Sequence, residues 1–240
     1  MGDVTIIRAV LFDKDGTLLD FAASWGPTNR RAALHAANGD SSLADRLLHA
    51  CGMDPTTGEV AADSLFAASS TGEIARAMVE HGSPFDVHDL TVALDGFFVD
   101  GAAHAVPLTD LAALFTRLQA RGLRLGIASS DNEASIRLMV QHKGLADLVD
   151  FVAGYDSGHG VKPGPGMVHA FAEAVGVGVH EVLVVGDNTH DLHMARHAKA
   201  GLAVGVLSGT GTREHLEPIA DHVLDSVDDL VALLDELADR

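Results

Sequence analysis

Val10-Leu11-Phe12-Asp13-Lys14-Asp15-Gly16-Thr17-Leu18-Leu19-Asp20 decides how the rest of the chain is read. The apolar run from Ile6 to Phe12, broken only by Arg8, has the composition of a strand buried on both faces of a parallel sheet. It ends abruptly in two carboxylates spaced i, i+2, a glycine and a hydroxyl. In open α/β sheets ligands bind at the carboxyl ends of strands, so Asp13 and Asp15 stand where chemistry is expected. A carboxylate at Asp13 can serve as a nucleophile, and Asp15, two residues on, can reach the same centre as acid and base. Gly16 allows a sharp turn, and Thr17 offers a hydroxyl to fix the loop. Taken alone, the string is equally an acidic turn after a strand.

The rest of the composition narrows the setting. Apolar residues make up 47% of the 240 and aromatics only 5%, so Ala, Val and Leu must fill the core. Lys and Arg number 16 against 34 Asp and Glu, a formal charge of −18, which argues against nucleic acid or an anionic membrane as the main partner. Cys51 is the single cysteine, which rules out an internal disulfide and gives no zinc spacing. No apolar stretch approaches transmembrane length, and the start of the chain lacks the basic and apolar regions of a signal peptide. The expectation is a soluble cytoplasmic protein, monomer or homodimer.

Beyond Asp20 the pattern changes. Residues 21–106 carry helical periodicity and no convincing strand, with helices expected at 28–37, 43–51, 60–68 and 71–81. A fifth begins at a cap on Asp86 and reaches Phe98. From Pro107 helices and strands alternate: helix 110–120, strand 123–128, helix 133–142, strand 148–153, and a Gly-Pro-rich loop leading into a helix that ends at 175. Strand 182–185, a helix to 198, strands 202–206 and 222–224 and a helix over 225–237 complete the chain. The pattern predicts an α/β fold: a Rossmann-like, mostly parallel sheet with helices on both faces, built from residues 1–20 and 107–240. An all-helical insert, 21–106, interrupts it after the first strand.

Three further strand ends carry polar groups. Ser129, with Ser130 beside it, follows strand 123–128 and offers hydroxyls and amides to an anionic oxygen. Lys162, one of four lysines, sits in Val161-Lys162-Pro163-Gly164-Pro165-Gly166, where proline stiffens the loop. Asp187 and Asp191 flank a loop after strand 182–185, and their i, i+4 spacing at a helix start turns both toward one point, which suits a hard cation. Each has an ordinary reading as a cap or a solvated loop residue. Their order does not. Asp-x-Asp-Gly-Thr, then Ser, then Lys-Pro, then Gly-Asp-x-x-x-Asp resembles, in sequence, the four motifs of the haloacid dehalogenase-like (HAD) hydrolases.

That resemblance implies a set of roles. Mg²⁺ would be held by the Asp13 carboxylate, the main-chain carbonyl of Asp15 and Asp187, with Asp191 as ligand or neighbour. Asp13 would attack phosphorus to give an aspartyl phosphate, while Asp15 protonates the leaving alkoxide and then deprotonates water. Ser129 and Lys162 would hold the transferring group, and the insert would be a cap. The logic is electrostatic, because a phosphate dianion and a carboxylate nucleophile repel each other until cations neutralise them.

Other residues are read more plainly. Lys14 stands where the family often has an apolar or small residue; its side chain is expected to point away from the two aspartates, with no catalytic role. His190, His193 and His197 fall at i, i+3, i+7 and read as a wet helix face rather than a transition-metal site. Trp25, Arg30 and Arg31 lie where the insert begins, a hinge and often a substrate-facing surface in the family, so Arg30 and Arg31 are candidates to meet the substrate. Asp15 argues against a dehalogenase, which needs no acid for an alkoxide. The absence of lysine from 21–106 argues against a phosphonoacetaldehyde hydrolase. The reading is a Mg²⁺-dependent phosphatase resembling phosphoglycolate phosphatases and acting on a small phosphorylated metabolite. A β-phosphoglucomutase-like phosphosugar mutase and a catalytically silent binding protein on the same fold are the alternatives. The first has only four insert arginines to retain a bisphosphate, and the second would be expected to have lost an acidic position.

Overall fold

A computed structural model describes residues 6–239. Strands β1 (Ala9–Phe12), β2 (Arg124–Ala128), β3 (Phe151–Ala153), β4 (Val182–Gly186), β5 (Leu202–Val206) and β6 (His222–Leu224) form one sheet in the order β3-β2-β1-β4-β5-β6. Every pairing is parallel. Every residue of β1 and β4 is buried, as their unbroken apolar runs require in a sheet covered on both faces. Alternation along the strands sorts their side chains into two cores. Val10, Phe12, Leu183 and Val185 face α6 (Leu111–Gln119), α7 (Glu133–His142) and α11 (Leu230–Ala238). Ala9, Leu11, Val182 and Val184 face α8 (Gly166–Val175), α9 (Thr189–Ala198) and α10 (Arg213–Leu216). The α/β fold expected from the sequence is the one observed.

Between β1 and β2 lie α1 (Phe21–Ala36), α2 (Ser41–Ala50), α3 (Leu65–Ala68), α4 (Thr71–Glu80) and α5 (Val87–Ala102). The chain enters and leaves this segment side by side: the Asp20 amide donates to the Val106 carbonyl at 2.8 Å, and the Leu108 amide to the Leu18 carbonyl at 3.0 Å. Residues 1–5, assigned to the sheet-bearing part from the sequence, lie outside the described residues. Among those described, no helix is long and apolar enough to cross a membrane.

Several elements depart from expectation for local reasons. Helix α1 starts seven residues earlier than expected and runs through Pro27, because the Asp20 carboxylate accepts from the Ala23 amide at 3.0 Å and caps it. Proline inside a helix costs roughly 3 kcal/mol, and burying Phe21 and Trp25 offsets this at about 1.5–3 kcal/mol for each large apolar side chain. The helix expected over 60–68 shrinks to α3. Asp54 binds the amides of Thr56 and Thr57, a local turn that competes with helix, and Val60 bridges to Met53 instead. Strand β3 starts late because the Asp150 carboxylate accepts from the Leu125 amide and pairs with Arg124. The closing helix is a 3₁₀ turn (Val227–Asp229) followed by α11.

Candidate active site

The loops that follow β1, β2 and β4 meet at the carboxyl edge of the sheet, with β1 in the middle. The Asp13 amide donates to the Val185 carbonyl at 2.8 Å, so its carboxylate emerges between the β2 and β4 loops. Lys162, from the loop before α8, places its ammonium 2.5 Å from Asp13 Oδ1 and 2.5 Å from Asp191 Oδ1. Asp191 Oδ2 accepts from the Asn188 amide at 3.1 Å, which fixes the first turn of α9. Asp187 is fixed from two sides, by the Thr17 hydroxyl at 3.3 Å and by the Thr210 amide at 2.9 Å. Gly16, at φ +82°, and Gly209 let the backbone pass this close; a Cβ on either would lie 2.5 or 2.0 Å from Asp187 Oδ2.

All of these side chains are buried. Burial pushes the Asp13 and Asp15 carboxyls up to about 6, against the pull of Lys162 on the first and Lys14 on the second. Asp187 lies well above the usual carboxylate range, through burial first and then through Asp13 and Asp191. Burial also disfavours the Lys162 ammonium, but Asp13 and Asp191 outweigh it and hold that lysine charged. Carboxylate oxygens of Asp13, Asp187 and Asp191 all lie within 4.8 Å of one another. Three buried acids against one ammonium leave the cluster anionic. An oxygen-only donor set of this kind fits a hard divalent cation such as Mg²⁺.

Asp15 is held separately. The Trp25 indole donates to its Oδ1 at 2.5 Å, and Lys14 Nζ lies 2.8 Å from its Oδ2. The expectation for Lys14 is therefore corrected. Strand geometry stops at Phe12 and the chain bends at Lys14, so alternation no longer turns this side chain away. Its ammonium, fully buried, bridges Asp15 to Asp131 Oδ2 at 2.9 Å and lies 4.5 Å from the Trp25 ring centroid. Burial opposes that charge, yet Asp131 and Asp15 hold it above the ordinary lysine range.

A cavity of about 70 Å³ opens over these groups, lined from the sheet side by Asp13, Asp15, Ser129, Ser130, Lys162, Asp187 and Asp191. Ser129 Oγ accepts from the Asp131 amide at 3.1 Å, and the Ser130 hydroxyl donates to the Ala68 carbonyl at 2.9 Å. Arg30 and Arg31 are not among the lining residues, which corrects their candidacy. The face of α1 that points inward repeats at i, i+4, i+8 as Phe21, Trp25 and Asn29, and the next two positions turn outward. Arg30 donates to the Pro55 carbonyl at 2.6 Å and Arg31 pairs with Asp100 at 3.0 Å, both exposed. His190 also departs from expectation. It is half-buried and lines the cavity, with Nδ1 lacking any partner. His193 and His197 are not among the lining residues, and His197 bonds the Pro163 carbonyl. Asn29, Asp131 and Asn188 also line the cavity and were not singled out from the sequence; the i, i+4, i+8 spacing with Phe21 and Trp25 marks Asn29 only once the helix is known to start at Phe21.

Over residues 7–199 the chain matches the haloacid dehalogenase-like hydrolases, and it belongs to that family. It is 29% identical over 238 residues to a phosphoglycolate phosphatase of Rhodospirillum rubrum, covering 96% of this chain and 90% of that one. In structure it resembles a hydrolase from Pseudomonas syringae, with a TM-score of 0.71, 23% identity and coverage of 96% and 98%. A β-phosphoglucomutase from Clostridium difficile superposes with a TM-score of 0.67 at 20% identity, covering 98% and 100%. Identities this low establish the shared fold alone. The enzyme class expected from the motifs, a phosphatase of this family, agrees with the family match and with the name of the sequence relative.

Proposed function

We propose that this enzyme is a Mg²⁺-dependent phosphatase that hydrolyses a small phosphomonoester through an aspartyl phosphate on Asp13. The observation that carries the reading is the meeting, at the end of the central strand, of the Asp13, Asp187 and Asp191 carboxylates within 4.8 Å of one another, with Lys162 paired to Asp13 and Asp191. Asp13, Asp187 and Asp191, with the Asp15 carbonyl, are the residues that would hold the cation, which supplies charge neutralisation for the phosphoryl oxygens. Asp13 Oδ attacks phosphorus and the ester P–O bond breaks. Asp15 delivers its proton to the departing alkoxide, a role suited to a carboxyl raised to about 6. The same carboxylate then takes a proton from the water that attacks the aspartyl phosphate, releasing inorganic phosphate and restoring Asp13. Lys162 and Ser129 hold the phosphoryl oxygens throughout.

Residues 21–106 act as a cap in this reading, hinged where Asp20 and Val106 run together. Trp25 reaches from the cap to Asp15, so closure brings the general acid under control of the segment that excludes water. The name of the Rhodospirillum relative makes phosphoglycolate the first substrate to test. A panel of small phosphomonoesters, assayed with Mg²⁺ and again with EDTA, tests the proposal. Turnover that needs the cation supports it, and full activity in EDTA removes the cation from the mechanism.

A further inference from the structure

The cavity has two unlike halves. The sheet side is charged, whereas the side formed by residues 21–106 is uncharged and mostly apolar: Phe21, Trp25, Phe66, Ile74 and Phe98 line it, with Asn29, Ser69 and Thr71 among them. Among the described residues, no lysine or arginine of 21–106 reaches the cavity. The segment has no lysine, and all four of its arginines, Arg30, Arg31, Arg46 and Arg76, are exposed. The two ammonium groups below are already engaged, Lys162 by Asp13 and Asp191, and Lys14 by Asp15 and Asp131. Five carboxylates border the same space. A second anionic group on the substrate would therefore enter a largely apolar, acid-rimmed pocket in which no lysine or arginine is free to pair with it, and such a group is better left in water.

Of those three neutral polar residues, Asn29 is the one with a buried polar atom left without a partner. Asn29 is 2% exposed, and its Nδ2 has no hydrogen-bond partner. A buried amide without a partner is costly, and a hydroxyl, as both donor and acceptor, satisfies an amide whichever of its atoms faces the ligand. His190 Nδ1 is a second unpartnered nitrogen on the sheet side. The cavity is small, about 70 Å³, which favours a small alcohol.

Building on the phosphatase reading, we infer that the substrate is the phosphomonoester of a small, uncharged, hydroxyl-bearing alcohol. Asn29 is the residue that recognises its hydroxyl. A carboxylate-bearing ester such as 2-phosphoglycolate is selected against.

The test compares kcat/KM of the wild-type enzyme with Mg²⁺ for 2-hydroxyethyl phosphate and 2-phosphoglycolate, which differ in exchanging a neutral hydroxymethyl group for a carboxylate. The neutral ester should be preferred by at least about tenfold, the scale on which pockets reject a group they cannot pair. In Asn29→Leu, kcat/KM for 2-hydroxyethyl phosphate should fall at least about fivefold more than for ethyl phosphate, which lacks the hydroxyl. Equal or better turnover of 2-phosphoglycolate overturns the inference and leaves the phosphatase intact. So does an equal loss on both esters in Asn29→Leu. If p-nitrophenyl phosphate is hydrolysed in an Asp13-dependent way but neither small ester is, the assignment of a small alcohol is wrong. If no ester is hydrolysed in an Asp13-dependent way, the phosphatase reading fails first and takes the inference with it.

Discussion

Asp15 is gripped from opposite sides, by an indole from α1 and by an ammonium from its own loop, and this governs what substitutions there should do. Asp15→Asn keeps the shape and removes the proton, so kcat for an alkyl phosphate should drop by about 10²–10⁴. The loss should be much smaller for p-nitrophenyl phosphate, whose leaving group needs little protonation. An equal loss on both would deny Asp15 the role of acid. Lys14 acts on the same group from behind. Replacing it by Met leaves Asp15 and Asp131 buried without their counter-ion, which should cost about 3–5 kcal/mol in urea unfolding. A change under 1 kcal/mol would mean that the buried pair is spectator rather than scaffold.

The same dependence on local partners appears at the level of helices and strands. The Asp40 carboxylate accepts from the amides of Ser42 and Leu43 and closes the N-terminus of α2, so Asp40→Ala should cost about 1 kcal/mol without affecting kcat. Cys51, at the other end of α2, is buried, and burial pushes its thiol up to about 12. At pH 8 it is a neutral thiol, so an aromatic disulfide reagent should label it only after unfolding; rapid labelling of the native enzyme would contradict this packing. Most elements were legible beforehand because their signals are local. Runs such as Val182-Leu183-Val184-Val185 can only be interior strands, and Glu133–His142 is bounded by an Asn cap and a Gly stop. The cavity acids Asp13, Asp15, Asp187 and Asp191 and Lys162 were legible because they follow strands in a fixed order. What escaped depends on packing across the chain. Pro27 reads as a helix breaker until Phe21 and Trp25 are seen to be buried, and Lys14 reads as outward until Asp131 arrives from the β2 loop. Arg30 and Arg31 drew attention by charge, whereas the helix faces the cavity with Asn29.

For the molecule as a whole, the two parts meet over the carboxylates through a ring of polar contacts. Tyr155 and Asn132 from the sheet side bond Asp95 of α5, and Thr189 of α9 bonds Asp63. An acidic cluster at the centre of a chain of formal charge −18 should make the native state responsive to divalent cations. Mg²⁺ at a hundred times its Kd should add about 2.7 kcal/mol to stability, visible as a rise in Tm. The rise should be lost in Asp187→Ala, and an unchanged rise in that variant would place the cation elsewhere. In the proposed mechanism, phosphorus becomes bonded to Asp13. Rapid acid quenching during turnover of a ³²P-labelled phosphomonoester tests it most directly. The expected result is protein-bound label that hydroxylamine releases, that maps to the peptide containing Asp13, and that is absent from Asp13→Asn. Label on another residue, or steady hydrolysis by Asp13→Asn near the wild-type rate, would contradict it.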